Sequence, residues 1–327
     1  MSDVAIAVDL GGTNIRAALV TVGGEIKHHR TVRTAVRGGV YAIVDQIVNL
    51  AESVFDEHGS RLTAGVGVVA PGPLEPKSGI VRFAPNLPGW ENVPLARLIQ
   101  DRLEIPVVLG NDGNCAALGE SMFGAGRDVD NLIYLALGTG LGAGIIHHGS
   151  LIEGVAGVGG EVGHVSIDPN GSRCTCGAVG CMEAYIGGWA IARHGEMAVH
   201  SERSSLIQEI AGDDRITAEV VARAAEQGDG VARDIFARGA LALAVGVGGL
   251  VNVFNPELIV IGGGLARAGD LIIEPFRSSL PNYTMLPIYE HVTIVQSALG
   301  HDTGIYGAAA NVFYQRPDRT GHRELDG

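Results

Sequence analysis

What this sequence lacks narrows its biology before any motif is read. No run of about 18 or more consecutive apolar residues occurs, the length a helix needs to cross a bilayer. The longest apolar region, Leu241 to Phe254, is broken by Gly246, Gly248, Gly249 and Asn252 and reads as a core helix. No basic, then apolar, then small-residue pattern opens the chain, so no signal peptide is read there. Cysteine is scarce, with four in 327 residues, and three of the four fall within eight residues. A secreted disulfide framework would spread them more evenly. A cytoplasmic protein is the expectation. Positive charge is short as well: 23 Lys and Arg stand against 36 Asp and Glu, for a formal net charge of −13 and a pI of about 5.2. That balance argues against nucleic acid or an anionic membrane as a bulk partner. An anionic ligand would need local help from oriented backbone N–H groups and Mg²⁺.

What is present is a core and many glycines. Hydrophobic residues make up 46% of the chain, enough to rule out disorder and to fill about two domains. Glycine reaches 49 of 327 without a Gly-X-Y period, and it gathers after short apolar runs, where backbone must turn tightly or approach a ligand. The opening reads as strand (Val4 to Val8), glycine turn (Gly11-Gly12-Thr13-Asn14) and returning strand (Ile15 to Val22), with Gly23-Gly24 as a hairpin signal. The spacing predicts a helix over 40–57, a strand from Ala64 to Ala70 and a short helix from Val93 to Leu103. A strand from Pro106 to Leu109 and a helix from Asn114 to Phe123 follow. About 127 residues after the first unit, Asn131 to Gly140 repeats it, and Ala143 to His147 returns as before. A strand–turn–strand unit occurring twice suggests a duplicated domain, although any two Gly-rich hairpins look alike. Beyond a loop-rich stretch at 150–190, helices are expected over 217–253 and near 269–280, with strands at Glu257 to Ile261 and Val292 to Gln296. A helix from Thr303 to Phe313 closes the fold, and the polar tail from Arg316 reads as frayed.

Several segments carry chemistry. In Asp9-Leu10-Gly11-Gly12-Thr13-Asn14, a carboxylate at a strand end precedes a turn whose N–H groups can hold phosphate oxygens. The Asp can hold Mg²⁺ directly or through water; an ordinary hairpin has the same outline. The second turn, Gly138-Thr139-Gly140, has Ala136 in place of the acid. Two such turns suit a nucleotide held between two domains. A dinucleotide fingerprint would open a helix, whereas β-branched and apolar residues follow here. Gly262-Gly263-Gly264 lies between a strand and a helix, with Arg267 where a third fingerprint glycine would stand; it suits an adenosine lying on backbone. Cys174, Cys176 and Cys181, with Gly177 and Gly180 between them, can aim three sulfurs at one point, and His164 lies ten residues before Cys174. Cys₃His is a closed tetrahedral set, and the expected ion is a structural Zn²⁺. Cys115 reads as a small buried residue. Asp112, after the strand Val107 to Leu109, sits where a carboxylate can take a proton from a substrate hydroxyl, or else is a turn residue with Asn114 as N-cap.

Taken in order, Asp9-Leu10-Gly11-Gly12-Thr13, Asn111-Asp112, Leu137 to Gly142, Glu161-x-Gly163-His164 and Cys174-x-Cys176-Gly177-x-x-Gly180-Cys181-x-Glu183 span nearly the whole chain. In this the sequence resembles the ROK-family sugar kinases (repressors, open reading frames, kinases), the bacterial glucokinases in particular. The resemblance implies an actin-like (ribonuclease-H-like) α/β fold, duplicated into two domains with a cleft between them. Residues 1–114 plus 304–327 would form the smaller domain, and 115–303 the larger one with the metal loop. It implies transfer of the γ-phosphoryl group of ATP to the 6-hydroxyl of glucose, with Asp112 as the base. Asn86, Asn111, Glu161, His164 and Glu183 would be sugar ligands, and His164 would bind zinc through its other ring nitrogen. A homodimer is implied in the same way. Because the nucleotide turns lie far from the metal loop in sequence, metal loss is expected to weaken sugar binding and spare ATP. The main alternative is another hexose: mannose, fructose, N-acetylglucosamine or N-acetylmannosamine. A repressor would carry a helix-turn-helix before the first strand, and Asp9 leaves no room for one; polyphosphate as donor and a nicotinamide dehydrogenase are the remaining competitors.

Overall fold

The structure, a computed structural model, describes residues 3–59, 63–84, 86–203 and 206–316. Pro85 and the tail from 317 onward lie outside the described residues, and with them most of the segment read as frayed. The first half runs β1 (Val4–Leu10), β2 (Asn14–Thr21), β3 (Ile26–Arg33), α1 (Gly39–His58), β4 (Val66–Ala70), β5 (Leu74–Glu75), β6 (Ile80–Phe83), β7 (Glu91–Val93), α2 (Leu95–Leu103), β8 (Val107–Asn111) and α3 (Asp112–Phe123). The second half runs β9 (Leu132–Leu137), β10 (Leu141–His147), β11 (Ser150–Leu151), α4 (Glu183–Ile186), α5 (Gly188–His200), α6 (Leu206–Ala211), α7 (Ala218–Glu226) and α8 (Gly230–Phe254). It ends with β12 (Leu258–Gly262), α9 (Ile273–Ser279), α10 (Leu286–Tyr289), β13 (Thr293–Gln296) and α11 (Thr303–Tyr314).

The duplication is visible in the sheets. The first has the order β3-β2-β1-β4-β8 and the second β11-β10-β9-β12-β13. In each, an antiparallel hairpin is extended by two parallel strands on its inner side. Strand alternation decides what lies on each face. In β1, Ile6, Val8 and Leu10 pack with Ile43 and Ile47 of α1, while the small Ala5 and Ala7 face Ile305 and Ala309 of α11. In β9, Ile133, Leu135 and Leu137 pack with Leu243 and Val247 of α8, while Leu132 and Tyr134 join the core of α3 and α11. The two sheets thus clasp α11 and α3 between them, and the other helices cover their outer faces.

The inner layer is close because its contacts carry almost no side chain. A Cβ at Gly67 of β4 would collide with the Ala308 carbonyl oxygen of α11. One at Gly307 would come within 2.7 Å of the Cys115 backbone, and one at Gly144 within 2.6 Å of the Ala117 methyl. α11 therefore packs closely on β1 and β4 of the first sheet. The expected domain boundary, between residues 114 and 115, falls inside the first turn of α3.

Other differences from the sequence reading have local causes. β3 and the small β5-β6-β7 sheet lack clean alternation; no residue of β3 is fully buried. The stretch at 150–190 contains β11, α4 and the start of α5. α3 begins at Asp112 rather than Asn114, because Asn111 is the N-cap: its side-chain oxygen accepts from the N–H groups of Gly113 and Asn114. α8 is long and apolar enough to cross a membrane by composition, but most of that length is buried within the fold, as in a core helix.

The tightness of the inner layer is testable. Gly67→Ala is expected to cost about 1–3 kcal/mol, the usual penalty for overpacking, measured by denaturant unfolding. An unchanged unfolding midpoint would show that α11 is free to move off the sheet.

Candidate active site and metal cluster

β1, β4 and β8 run parallel and end at one edge of the first sheet, and β9 and β12 end likewise in the second. Loops after parallel strands are where α/β proteins gather ligands. The turn Gly11–Thr13 follows β1, Asn111-Asp112 ends β8, and the turns at 138–140 and 262–264 follow β9 and β12.

The first turn is built by short-range bonds. Gly11 N–H donates to the Asn14 carbonyl at 2.9 Å, and the Thr34 hydroxyl donates to the Gly11 carbonyl at 2.7 Å. Asp9 faces Arg16 directly across the hairpin, and Arg16 donates to its Oδ2 from Nε (3.1 Å) and a terminal nitrogen (2.5 Å). Arg16 and Thr34 escaped the sequence reading; counting register back from the turn would have found Arg16. A Cβ on Gly12 would stand 3.2 Å from that of Asn86, so Asn86 packs on this turn. A cavity of about 480 Å³ opens beside it, lined by Gly12, Thr13 and residues 33–38, including Arg33 and Arg37. Asp112 is not among the residues that line this cavity.

Asp112 is the first residue of α3, and its Oδ1 accepts from the Gly113 N–H at 2.8 Å. The carboxylate reaches solvent but is ringed by protein, so its charged form is poorly solvated. That burial raises its pKa; the Gly113 bond opposes the rise, and the charge of Asp9 adds to it. A Cβ on Gly142 of β10 would lie 4.0 Å from its Oδ1, which places Asp112 between the two hairpins. Glu161 also has its pKa raised, by desolvation first; His164 lowers it, and Asp112 and Glu183 raise it further. The charges of Asp112 and Glu183 thus act on Glu161. Asn114, below Asp112, donates through its side-chain amide to the Gly159 carbonyl at 3.2 Å and holds the glycine-rich loop that leads to Glu161.

The four expected metal ligands come together: the ligating atoms of His164, Cys174, Cys176 and Cys181 all lie within 4.8 Å of one another. Cys176 and Cys181 sulfurs are 3.7 Å apart, and Cys174 Sγ is 3.7 Å from His164 Nδ1. Two ligands about 2.3 Å from one tetrahedral ion stand roughly 3.8 Å apart, so the spacing fits such an ion. His164 Nε2 is left facing Glu161, 4.0 Å from Oε2. Gly177 and Gly180 take φ of +93° and +72°, and a Cβ on Gly180 would strike the Asp168 carbonyl, so the curl of the loop needs glycine there.

Glu183 departs from its expected surroundings. It is 8% exposed, and both oxygens have protein partners. Oε2 accepts from the Leu141 N–H at 2.9 Å; Oε1 accepts from Trp189 Nε1 at 3.1 Å and from the Thr175 hydroxyl at 3.4 Å. The first N–H groups of α5, on Gly188 and Trp189, donate to the carbonyls of Gly138 and Thr139. The turn at 138–140 therefore sits on the loop that carries the His/Cys cluster, although the two lie far apart in sequence. Gly263 brings the third turn alongside: at φ +91°, a Cβ there would strike the Leu137 carbonyl, while Gly264 is open.

With this geometry in view, the family model described as the ROK family matches residues 5–314. The chain belongs to the ROK family. It is 40% identical over 306 residues to a glucokinase of Thermotoga maritima, covering 93% of this chain and 96% of that one. Its fold is similar to a ROK hexokinase of Thermus thermophilus, with a TM-score of 0.84, 30% identity and coverage of 95% and 98%. It is also similar to a ROK-family glucokinase of Streptomyces griseus in complex with glucose and AMPPNP, with a TM-score of 0.76, 34% identity and coverage of 94% and 98%. These neighbours share the actin-like fold of two α/β domains.

The capping role of Asn111 can be checked without any assay of activity. Asn111→Ala should cost about 1 kcal/mol of stability and Asn111→Ser much less, since serine also caps. Equal loss in both variants would show that the cap bond contributes nothing.

Proposed function

We propose that this chain is an ATP-dependent glucokinase that moves the γ-phosphoryl group of ATP to the 6-hydroxyl of D-glucose, yielding glucose 6-phosphate and ADP. The observation that carries the reading is Asp112. It is a solvent-reachable carboxylate with a raised pKa, at the end of β8 and between the two glycine hairpins. Asp112 orients the 6-hydroxyl and accepts its proton as the oxygen attacks phosphorus. A raised pKa brings the base nearer to working pH, which favours proton transfer. Asn86, Asn111, Glu161, His164 through Nε2 and Glu183 are the sugar's hydrogen-bonding partners. Glu183 oxygens already accept protein donors, so a sugar hydroxyl there would use a remaining lone pair.

The turns at Gly11–Asn14 and Gly138–Gly140 hold the phosphates on backbone N–H groups, and Gly262–Gly264 takes the adenosine. Mg²⁺ bound with ATP neutralises charge developing on the phosphates, and Asp9 is the residue positioned to hold it, directly or through water. Arg16 occupies Asp9 Oδ2 and keeps that carboxylate in place. His164, Cys174, Cys176 and Cys181 would hold Zn²⁺, and a set of four protein ligands leaves the ion structural. The two sheets act as domains closing on the cleft about the α3–α11 layer, which excludes water from the transfer. A cytoplasmic homodimer belongs to the same reading.

The reading is open to direct tests. Asp112→Asn should fold and bind glucose while kcat falls by about 10²-fold or more, the range of general-base effects; retention of more than about a tenth of kcat would remove the base assignment. Protonation disables the base, so kcat/KM should fall as pH drops through the raised pKa of Asp112, above the usual carboxylate range. Asp9→Asn should shift that acid limb downward, because the Asp9 charge contributes to the rise. A coupled assay over glucose, mannose, fructose, N-acetylglucosamine and N-acetylmannosamine should give its highest kcat/KM with glucose. Elemental analysis should find one zinc per chain, and Cys176→Ala should lower both zinc content and stability.

A further inference from the structure

The metal cluster and the second nucleotide turn are joined by one buried side chain. Glu183 lies two residues after Cys181, and Thr175 lies between Cys174 and Cys176. The Thr175 hydroxyl and Trp189 Nε1 both donate to Glu183 Oε1, and the Leu141 N–H donates to Oε2. Gly140 fits against this carboxylate only because it has no side chain: a Cβ there would strike Oε2. From the other side, α5 holds the same turn through Gly188 N–H to the Gly138 carbonyl (2.9 Å) and Trp189 N–H to the Thr139 carbonyl (3.0 Å). The turn is therefore gripped at Gly138, Thr139 and Leu141, and Trp189 and Glu183 belong to both grips.

We propose that Glu183 is a positioning residue for the nucleotide: from within the metal loop it holds the turn at Gly138–Leu141, so that metal occupancy governs affinity for the phosphate donor as well as for the sugar. The physical step is short. Metal binding draws Cys174, Cys176, Cys181 and His164 together and fixes Thr175 and the start of α4. Glu183 is then presented to Leu141 at hydrogen-bond length. Without that order the Leu141 N–H and the Trp189 indole lose a buried acceptor. A buried donor left unpaired is costly, and the turn relaxes to find other partners. The N–H groups that would face phosphate oxygens lose their preset geometry, and the donor must restore it on binding. This inference rests on the kinase reading only in naming the nucleotide as the ligand of the turn.

The experiment is calorimetric titration of AMPPNP with Mg²⁺, and separately of glucose, into metal-replete protein. The same titrations are made on chelator-treated protein shown by circular dichroism to be folded, and on Glu183→Gln and Trp189→Phe. Metal removal and Glu183→Gln are each expected to weaken AMPPNP binding by about tenfold or more, the scale of one unpaired buried donor. Removing metal from Glu183→Gln should add little, because both changes break the same link. Trp189→Phe removes only the indole donor to Glu183 Oε1 and keeps every proposed ligand of metal and sugar. It should weaken AMPPNP binding by a larger factor than glucose binding at unchanged zinc content, and it decides the matter if Glu183→Gln does not fold. Unchanged AMPPNP affinity in metal-free protein, or in Trp189→Phe, would overturn the proposal. Failure of the kinase reading looks different: the unmodified protein would then bind no AMPPNP at all.

Discussion

The contact between α3 and α11 is the constraint on which the site depends. The first sheet turns the small Ala5 and Ala7 inward, the second meets the same layer through Leu132, Tyr134 and Gly144, and between the inner faces lie two helices that meet through Gly307 and Cys115. Close helix approach leaves little freedom to slide, because every displacement drives backbone into backbone. Asp112 is the first residue of α3, and Gly304, at the start of α11, fits against the Asp9 carboxylate. The same two helices that bind the sheets to one another therefore set the distance between the proposed base and the first phosphate turn. A kinase with a closing cleft needs such a fixed reference, and here it is placed where glycine and alanine allow the least slack.

Charge poses the second problem. A protein of net charge −13 in which Asp9 acts on Asp112, and Asp112 and Glu183 act on Glu161, is a poor place for a polyanion. The structure meets this locally. Arg16 neutralises Asp9, the surrounding protein raises the pKa of Asp112 and Glu161, and Glu183 accepts N–H and O–H donors on both oxygens. What remains at the first turn is backbone dipole together with Arg33 and Arg37 in the cavity beside it, which would serve an anion on a protein that is acidic overall. The result also explains why composition alone excluded bulk polyanions but not a single nucleotide.

Much of this was legible beforehand, for identifiable reasons. The two hairpins and their glycine turns show in apolar runs of strand length ended by glycine, and the identical order of the two sheets bears out the duplication. The metal cluster was legible because ligand type and spacing are both local. The edge strand β3 and the β5-β6-β7 sheet were not, since short or half-exposed strands bury too few residues to leave a period. Asn111 rather than Asn114 as N-cap depended on a one-residue choice of helix start that propensity does not resolve. Trp189 and Asn114 carry no motif; their roles come from which backbone groups the fold brings within their reach.

The largest departure is in how distance along the chain relates to distance in the fold. Residues 138–141 and 174–183 are separated by more than thirty positions, yet one carboxylate spans them at 2.9 Å. The reason is topological. β9 and β10 are a hairpin in the second sheet, and the long excursion after β11 must return over the end of that hairpin before α5 can pack on the outer face. The loop cannot cross there with unpaired backbone, so its own curl, the cysteine cluster and the N-terminus of α5 supply the partners. At that crossing the His/Cys cluster gathers Cys174 and Cys181 against Ala184, Tyr185 and Trp189, where a stretch so rich in glycine offers few other side chains. Its position against the turn follows from the path of the chain, and the proposed link between metal and nucleotide is then a consequence of where the chain has to pass.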